Sequence, residues 1–276
     1  MRVFKLFLSF AFLVVLLSSC NNYNKITKSK DYEYKLKMAD ELYSKGKYRI
    51  AQQLYEELFP VMKGTTRFED MYYKDAYCFY YMESYADAES LFKGFLEVFP
   101  NSPKAEEVDY MRSFCFYKQS PKLELEQVNT VKAMGMMQTF INTHPGSERN
   151  KDASDIIDKC RAKLEQKEQR AADLYYNMGQ YRAAALAFTN LMNNYPESES
   201  GEAYKLKSVK SYYKFAKLSI REKQIERYEK VTEEYQDFID RYPESKLLKE
   251  AESFSNLSQN QIKVIKYEQT QTSAKR

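Results

Sequence analysis

Apolar positions recur along this chain in one frame. A small residue is followed at four and seven positions by large apolar ones, and at twelve by proline. The copies are Ala88, Phe92, Phe95, Pro100; Ala133, Met137, Phe140, Pro145; Ala184, Phe188, Leu191, Pro196; and Val231, Tyr235, Phe238, Pro243. This spacing puts the first three on one helical face and the proline just past the helix end. Proline lacks an N–H and disfavours helical geometry in the residue before it, so each helix stops there. An aromatic ring or His precedes each proline and Ser follows two residues on, at Ser102, Ser147, Ser198 and Ser245. Such a serine is expected to cap the next helix.

Each such helix has a partner ahead of it. Residues 32–63 carry Ala39, Leu42, Gly46, Tyr48, Ala51, Tyr55 and Leu58, the pattern of a tetratricopeptide repeat, with Gly46 as the helix-to-helix turn. Lys63 stands where later copies have proline, and Pro60 comes early. Residues 67–100 repeat the pattern with Ala76, Phe79, Tyr85 and Ala88; the family's usual Trp is absent and Tyr72 fills its slot. A third hairpin opens at 103 and is interrupted by 119–128, an insertion expected to form a loop; its second helix resumes near Asn129. Residues 148–178 contain neither Pro nor Gly and predict one long helix or two nearly collinear ones. Gly179 to Leu191 closes the fourth hairpin, and 202–242 make the fifth, joined through Ser219–Gln224. A last helix is expected over 246–265. The predicted fold is all-α, a tetratricopeptide-like α-solenoid of about five helical hairpins plus a C-terminal capping helix. The repeat domain spans 32–265, and 266–276 reads as a disordered polar tail.

The N-terminus has a different logic. Arg2 and Lys5 precede an apolar run, Leu6 to Leu17, then Leu17-Ser18-Ser19-Cys20. This describes a secretory signal over residues 1–19, too short to span a bilayer comfortably. Leu-Ser-Ser-Cys resembles the bacterial lipobox, which implies lipidation of Cys20 and cleavage before it. Multiple acyl chains attach a protein to a membrane almost permanently, at roughly 0.8 kcal/mol per buried CH2. Residues 20–31 then form a lipidated cysteine with a polar tether. No Asp follows the cysteine and no acidic run follows it. By analogy with lipoprotein sorting, this fits the outer membrane, facing the periplasm.

Composition removes several function classes. The net charge is +4 with Arg2 and Lys5 inside the segment expected to be removed, and no basic block stands out, so nucleic acid is not an expected partner. Cys78, Cys115 and Cys160 lack metal-ligand spacing and are expected to be buried thiols; Cys78 and Cys115 occupy equivalent slots 37 residues apart. His144, the single histidine, sits where other copies have Phe or Tyr. No catalytic grouping, phosphate loop or metal motif appears, so no enzyme activity, cofactor or metal is expected. One slot is always tyrosine: Tyr43, Tyr80, Tyr117, Tyr176 and Tyr213. Beside it run Leu42, Phe79, Phe116, Tyr175 and Tyr212. Such a row packs repeats together or lines a groove for an extended peptide.

The order of these features resembles the BamD family of outer-membrane assembly lipoproteins over nearly all of residues 30–245. The more specific pieces are Val108-Asp109-Tyr110-Met111-Arg112 and the insertion after it, His144-Pro145-Gly146-Ser147, Cys160 to Leu164, Ala172 to Tyr176, and Asn194-Tyr195-Pro196-Glu197-Ser198. The resemblance implies a non-enzymatic subunit of the β-barrel assembly machinery. Its implied partners are the periplasmic domains of a BamA-like barrel protein, at the C-terminal repeats, and unfolded outer-membrane proteins, at the N-terminal ones. Ala187 and Asn190 stand on the relevant helix where basic contact residues are expected, so no contact residues transfer. The alternative is another periplasmic tetratricopeptide lipoprotein, one that coordinates cell-wall or division proteins.

Overall fold

The computed structural model describes residues 25–274. The signal segment and Cys20 lie outside the described residues. The chain forms α1 (Tyr32–Ser44), α2 (Tyr48–Met62), α3 (Phe68–Tyr81), α4 (Tyr85–Val98), α5 (Ala105–Lys118), α6 (Val128–Thr143), α7 (Asn150–Asn177), α8 (Tyr181–Asn194), α9 (Gly201–Lys217), α10 (Arg221–Arg241) and α11 (Leu248–Ala274). No strand occurs among the described residues. The fold is all-α, and consecutive helices pack as tetratricopeptide-like hairpins. The chain divides into two compact units, one ending at Cys160 and one beginning at Arg161.

The repeating frame is the interior of both units. In the first, Ala51, Ala88 and Ala133 are fully buried, as are Tyr55, Phe92, Met137, Leu58, Phe95 and Phe140. In the second, Ala184, Phe188, Leu191, Val231 and Phe238 play the same part. The small residue lets the hairpin's two helices approach, and the large ones fill the space beside it. Each buried large side chain contributes roughly 1.5–3 kcal/mol. Cys78, Cys115 and Cys160 are buried and form no disulfide.

Hairpin turns follow the sequence closely. Gly46 and Gly179 take φ of 71° and 75°, a left-handed turn that glycine adopts without a Cβ penalty. The second hairpin puts Glu83 in that slot at φ 61°, at some cost in strain. Pro60 sits inside the last turn of α2, which runs on to Met62.

The proline-linked ends share one geometry. Phe99, His144, Tyr195 and Tyr242 cap their helices with φ of −127°, −125°, −131° and −135° and ψ between 59° and 63°. The ring there meets one slot on the hairpin's first helix: Phe99 against Tyr72, Tyr195 donating to Glu168, and His144 paired with Asp109. The His144 variant is thus matched by a carboxylate where the previous copy has a ring.

The expectation that the serine caps the next helix needs correction: α5 and α9 have no side-chain cap at their N-termini. Ser102, Ser147, Ser198 and Ser245 each accept an N–H two residues on, at 3.0–3.1 Å, which tightens the turn before the next helix rather than the helix itself. Each hydroxyl also donates to a glutamate in the first helix of its own hairpin: Glu69, Glu106, Glu165 and Glu202. These clasps bolt the far end of one helix to the near end of its partner. A bond to a charged acceptor is worth about 1.5–3 kcal/mol.

Two other expectations need correction. Part of the tether is built into the fold: residues 25–27 are helical, Ile26 is buried in the first core, and Asp31 caps α1 by accepting from the Tyr34 N–H at 3.0 Å. The final helix begins at Leu248 and continues to Ala274, so the supposed disordered tail is helical throughout its described part. It lacks Gly and Pro, Thr270 and Thr272 bond back one turn, and Arg221 of α10 pairs with Glu268. The 119–128 insertion is a loop, as expected, and its side chains hold it in place. The Gln127 side chain is buried, donates to the carbonyls of Lys122 and Leu125 at 2.9 Å, and accepts from Thr130 at 2.7 Å.

Candidate protein-binding site

The tyrosine slot lies at the turn end of each hairpin. Tyr43, Tyr80 and Tyr176 are half-buried edge-on against the first residue of the following helix, Tyr48, Tyr85 and Tyr181, with centroids 5.7, 5.7 and 5.4 Å apart. Tyr213 packs on Tyr228 and Phe254 instead, because its turn lacks the glycine frame. Tyr117 meets Phe114 at 5.7 Å, since the insertion displaces the helix that would face it. Each ring therefore spends one face on its own hairpin and keeps part of its edge exposed.

In the first unit the slot joins a continuous aromatic seam. Tyr43 touches Tyr81, which stacks on Tyr48 at 4.5 Å and meets Tyr77 and Tyr80; Tyr80 reaches Phe114, and Phe114 reaches Tyr117. Tyr81 is 46% exposed, the open end of this seam. The sequence frame did not single it out, because it lies one residue past the repeating slot. In the second unit, Tyr176 packs against the cluster around Phe188 and lies 5.9 Å from the Lys214 ammonium.

Carboxylates organise the rest of the first unit. Glu107 accepts from the hydroxyls of Tyr73 and Tyr77 and lies near Arg149. Burial works against its charge, but the two phenol hydrogen bonds and the charges of Arg149 and Lys104 together outweigh it and hold the Glu107 pKa below its usual value. Asp40 accepts from Tyr55 at 2.8 Å and Lys74 at 2.9 Å, and Lys74 continues to Asp70 and Lys104. Asp75 differs. It is 3% exposed, and its Oδ1 has no hydrogen-bond partner. It lines a cavity of about 330 Å3 formed by α2, α3 and α4. Sequence periodicity did not mark this residue, although the repeat offers a signal: the equivalent slots hold Met38, Arg112, Ala171 and Ser208.

Comparison with known proteins bears on what these surfaces serve. The family model YfiO, described as outer membrane lipoprotein, matches residues 30–217, well over half of the chain. The chain belongs to the YfiO family of outer membrane lipoproteins. No curated protein matches it in sequence. Among solved structures it is similar to the TPR2AB-domain:pHSP90 complex of yeast Sti1, at 13% identity and a TM-score of 0.39, covering 83% of this chain and 98% of that one.

Membership in this family fits what the surfaces can do. No described helix is long and apolar enough to cross a membrane. No group of three or more His, Cys, Asp or Glu among the described residues is placed to hold a metal ion. The family and the hairpin fold together support a scaffold that works by binding other proteins.

Proposed function

We propose that this chain is a non-enzymatic scaffold subunit of the machinery that assembles β-barrel proteins in the outer membrane, held there by lipid on Cys20 and facing the periplasm. The observation that carries the reading is the family match over residues 30–217, which takes in four of the five hairpins and the beginning of the fifth. In this reading the chain binds a BamA-like barrel subunit through that protein's periplasmic domains, and it also meets unfolded outer-membrane proteins. The half-exposed edges of Tyr43, Tyr80 and Tyr117, with Tyr81 beside them, offer unfolded segments apolar area and hydroxyls at low entropic cost. Tyr176 and Tyr213 offer the same chemistry in the second unit.

Depleting the protein in its own bacterium tests this. Many outer-membrane barrels are expected to fall together, while periplasmic proteins hold steady. Unchanged barrel levels with altered cell shape or septation would favour a coordinator of cell-wall or division proteins instead. Replacing Cys20 by Ser is expected to release the chain from the membrane fraction.

A further inference from the structure

The cavity between α2, α3 and α4 is acidic and apolar at once. Its walls include Glu56, Asp75 and Asp87 together with Phe59, Phe79 and Leu91, and no lysine or arginine lines it. Glu56 and Asp87 are exposed at the surface, whereas Asp75 is almost wholly buried with an orphaned Oδ1. An unpaired polar atom away from water is costly, and the repeat frame does not ask for an acid in this slot. Another buried charge shows the contrast: Lys205 is met by Glu234 at 2.6 Å and Asp237 at 2.5 Å. Asp75 lacks such a counter-charge.

We propose that this cavity receives a single basic side chain, arginine or lysine, presented by a protein partner. The cationic head meets Asp75 inside and Glu56 and Asp87 at the mouth, and the methylene stem lies along Phe59, Phe79 and Leu91. A metal ion is a poorer occupant, because these carboxylates do not converge as ligands. The proposal rests on the protein-binding reading above and adds to it the residues and the chemistry of one contact.

The protonation of Asp75 supports it. Burial, and secondarily the charge of Glu56, push this carboxyl up to about 7. The titratable groups facing it are Glu56 on α2, Tyr72 and Cys78 on its own helix, and Asp87 on α4; none is basic. A cation entering the cavity selects the ionised form, so a proton leaves as the side chain binds. Raising pH from 6 to 8 takes such a group from about 9% to about 91% ionised, so affinity is expected to rise about tenfold.

The test uses the full chain and a fluorescent hexapeptide of Gly and Ser with one central arginine, read by anisotropy at pH 6 and pH 8. A lysine version and a citrulline version, neutral but of the same shape, accompany it. The arginine and lysine peptides are expected to bind at least tenfold tighter than the citrulline one, and about tenfold tighter at pH 8 than at pH 6. Asp75→Asn is expected to lose both differences while melting no lower than the parent at pH 8, which separates lost binding from lost folding. Asp87→Asn is expected to weaken binding a few-fold. Equal affinity for arginine and citrulline, or binding indifferent to Asp75 and to pH, would overturn the cavity while leaving the scaffold role standing. Loss of the scaffold role shows separately, as normal barrel levels on depletion.

Discussion

The two units solve the same packing problem with different materials. The first has one continuous core from Ile26 to Cys160, rich in Tyr and Phe. The second has three small apolar clusters, around Phe188, Phe238 and Tyr228. Buried polar groups fill in between them: Lys205, Ser208, Ser211, Glu234, Ser255 and Ser258. The repeating frame is common to both. Each unit pairs a buried lysine, Lys35 with Glu57 in the first and Lys205 in the second, and the difference is that the first also buries Asp75. The second unit neutralises Lys205 with two carboxylates, whereas the first leaves Asp75 without a cation. A paired charge acts as a structural bolt, and an unpaired one is a place for something else to bind.

The largest loss is expected where the second unit depends on its bolt. Lys205→Met removes the buried ammonium between Glu234 and Asp237, which keep Lys230 and Arg241 as partners, so the cost is expected at the lower end for a broken buried pair, about 3 kcal/mol. Hydrogen exchange is expected to rise in α9 and α10 before it rises in α3 and α4. Adding Glu234→Leu is expected to recover much of the loss; no recovery would mean the pair is not what holds those helices.

Asp75→Asn is expected to act in the opposite direction. The folded pKa of Asp75 is raised to about 7 from the ordinary carboxylate value, so its penalty is absent at low pH, grows between about pH 4 and 7, and is complete above 7. The substitution is therefore expected to stabilise by as much as about 4 kcal/mol at pH 8 and by little at pH 4. Urea unfolding at the two pH values reads this difference, and an equal effect at both would show that folding leaves the Asp75 pKa where it is in the unfolded chain.

The serine clasps are shared, so they probe what is common. Ser102→Ala in the first unit and Ser198→Ala in the second are each expected to cost about 1.5 kcal/mol. A large inequality would mean that one clasp has another partner. The smallest effect belongs to the turn. Glu83→Gly relieves a positive φ and is expected to stabilise by about 1 kcal/mol, whereas Gly179→Ala is expected to destabilise by a similar amount, both measured by melting.

How much of this the sequence carried follows from whether a feature repeats. The alanine–aromatic–proline frame recurs, so the helices, the buried Phe92 and Phe188, and the ends at Phe99 and Tyr195 were all readable from spacing. The serine's place was readable but its role was not, since a bond to the N–H two residues on closes the turn where a helix cap was expected. The serine's other bond reaches Glu69 or Glu165, 33 residues away, which spacing alone does not reveal. The helical tail was missed because its composition is polar and its tie, Arg221 to Glu268, is remote in sequence. Asp75 was missed for the opposite reason: it breaks the repeat, and only the packing of α2 and α4 around it shows that it is buried.

The most direct test of the scaffold role is affinity purification of the tagged, lipidated chain from native outer membranes. A barrel protein with periplasmic domains is expected to elute with it in near-equal amount. Elution with peptidoglycan enzymes and no barrel protein would contradict the account.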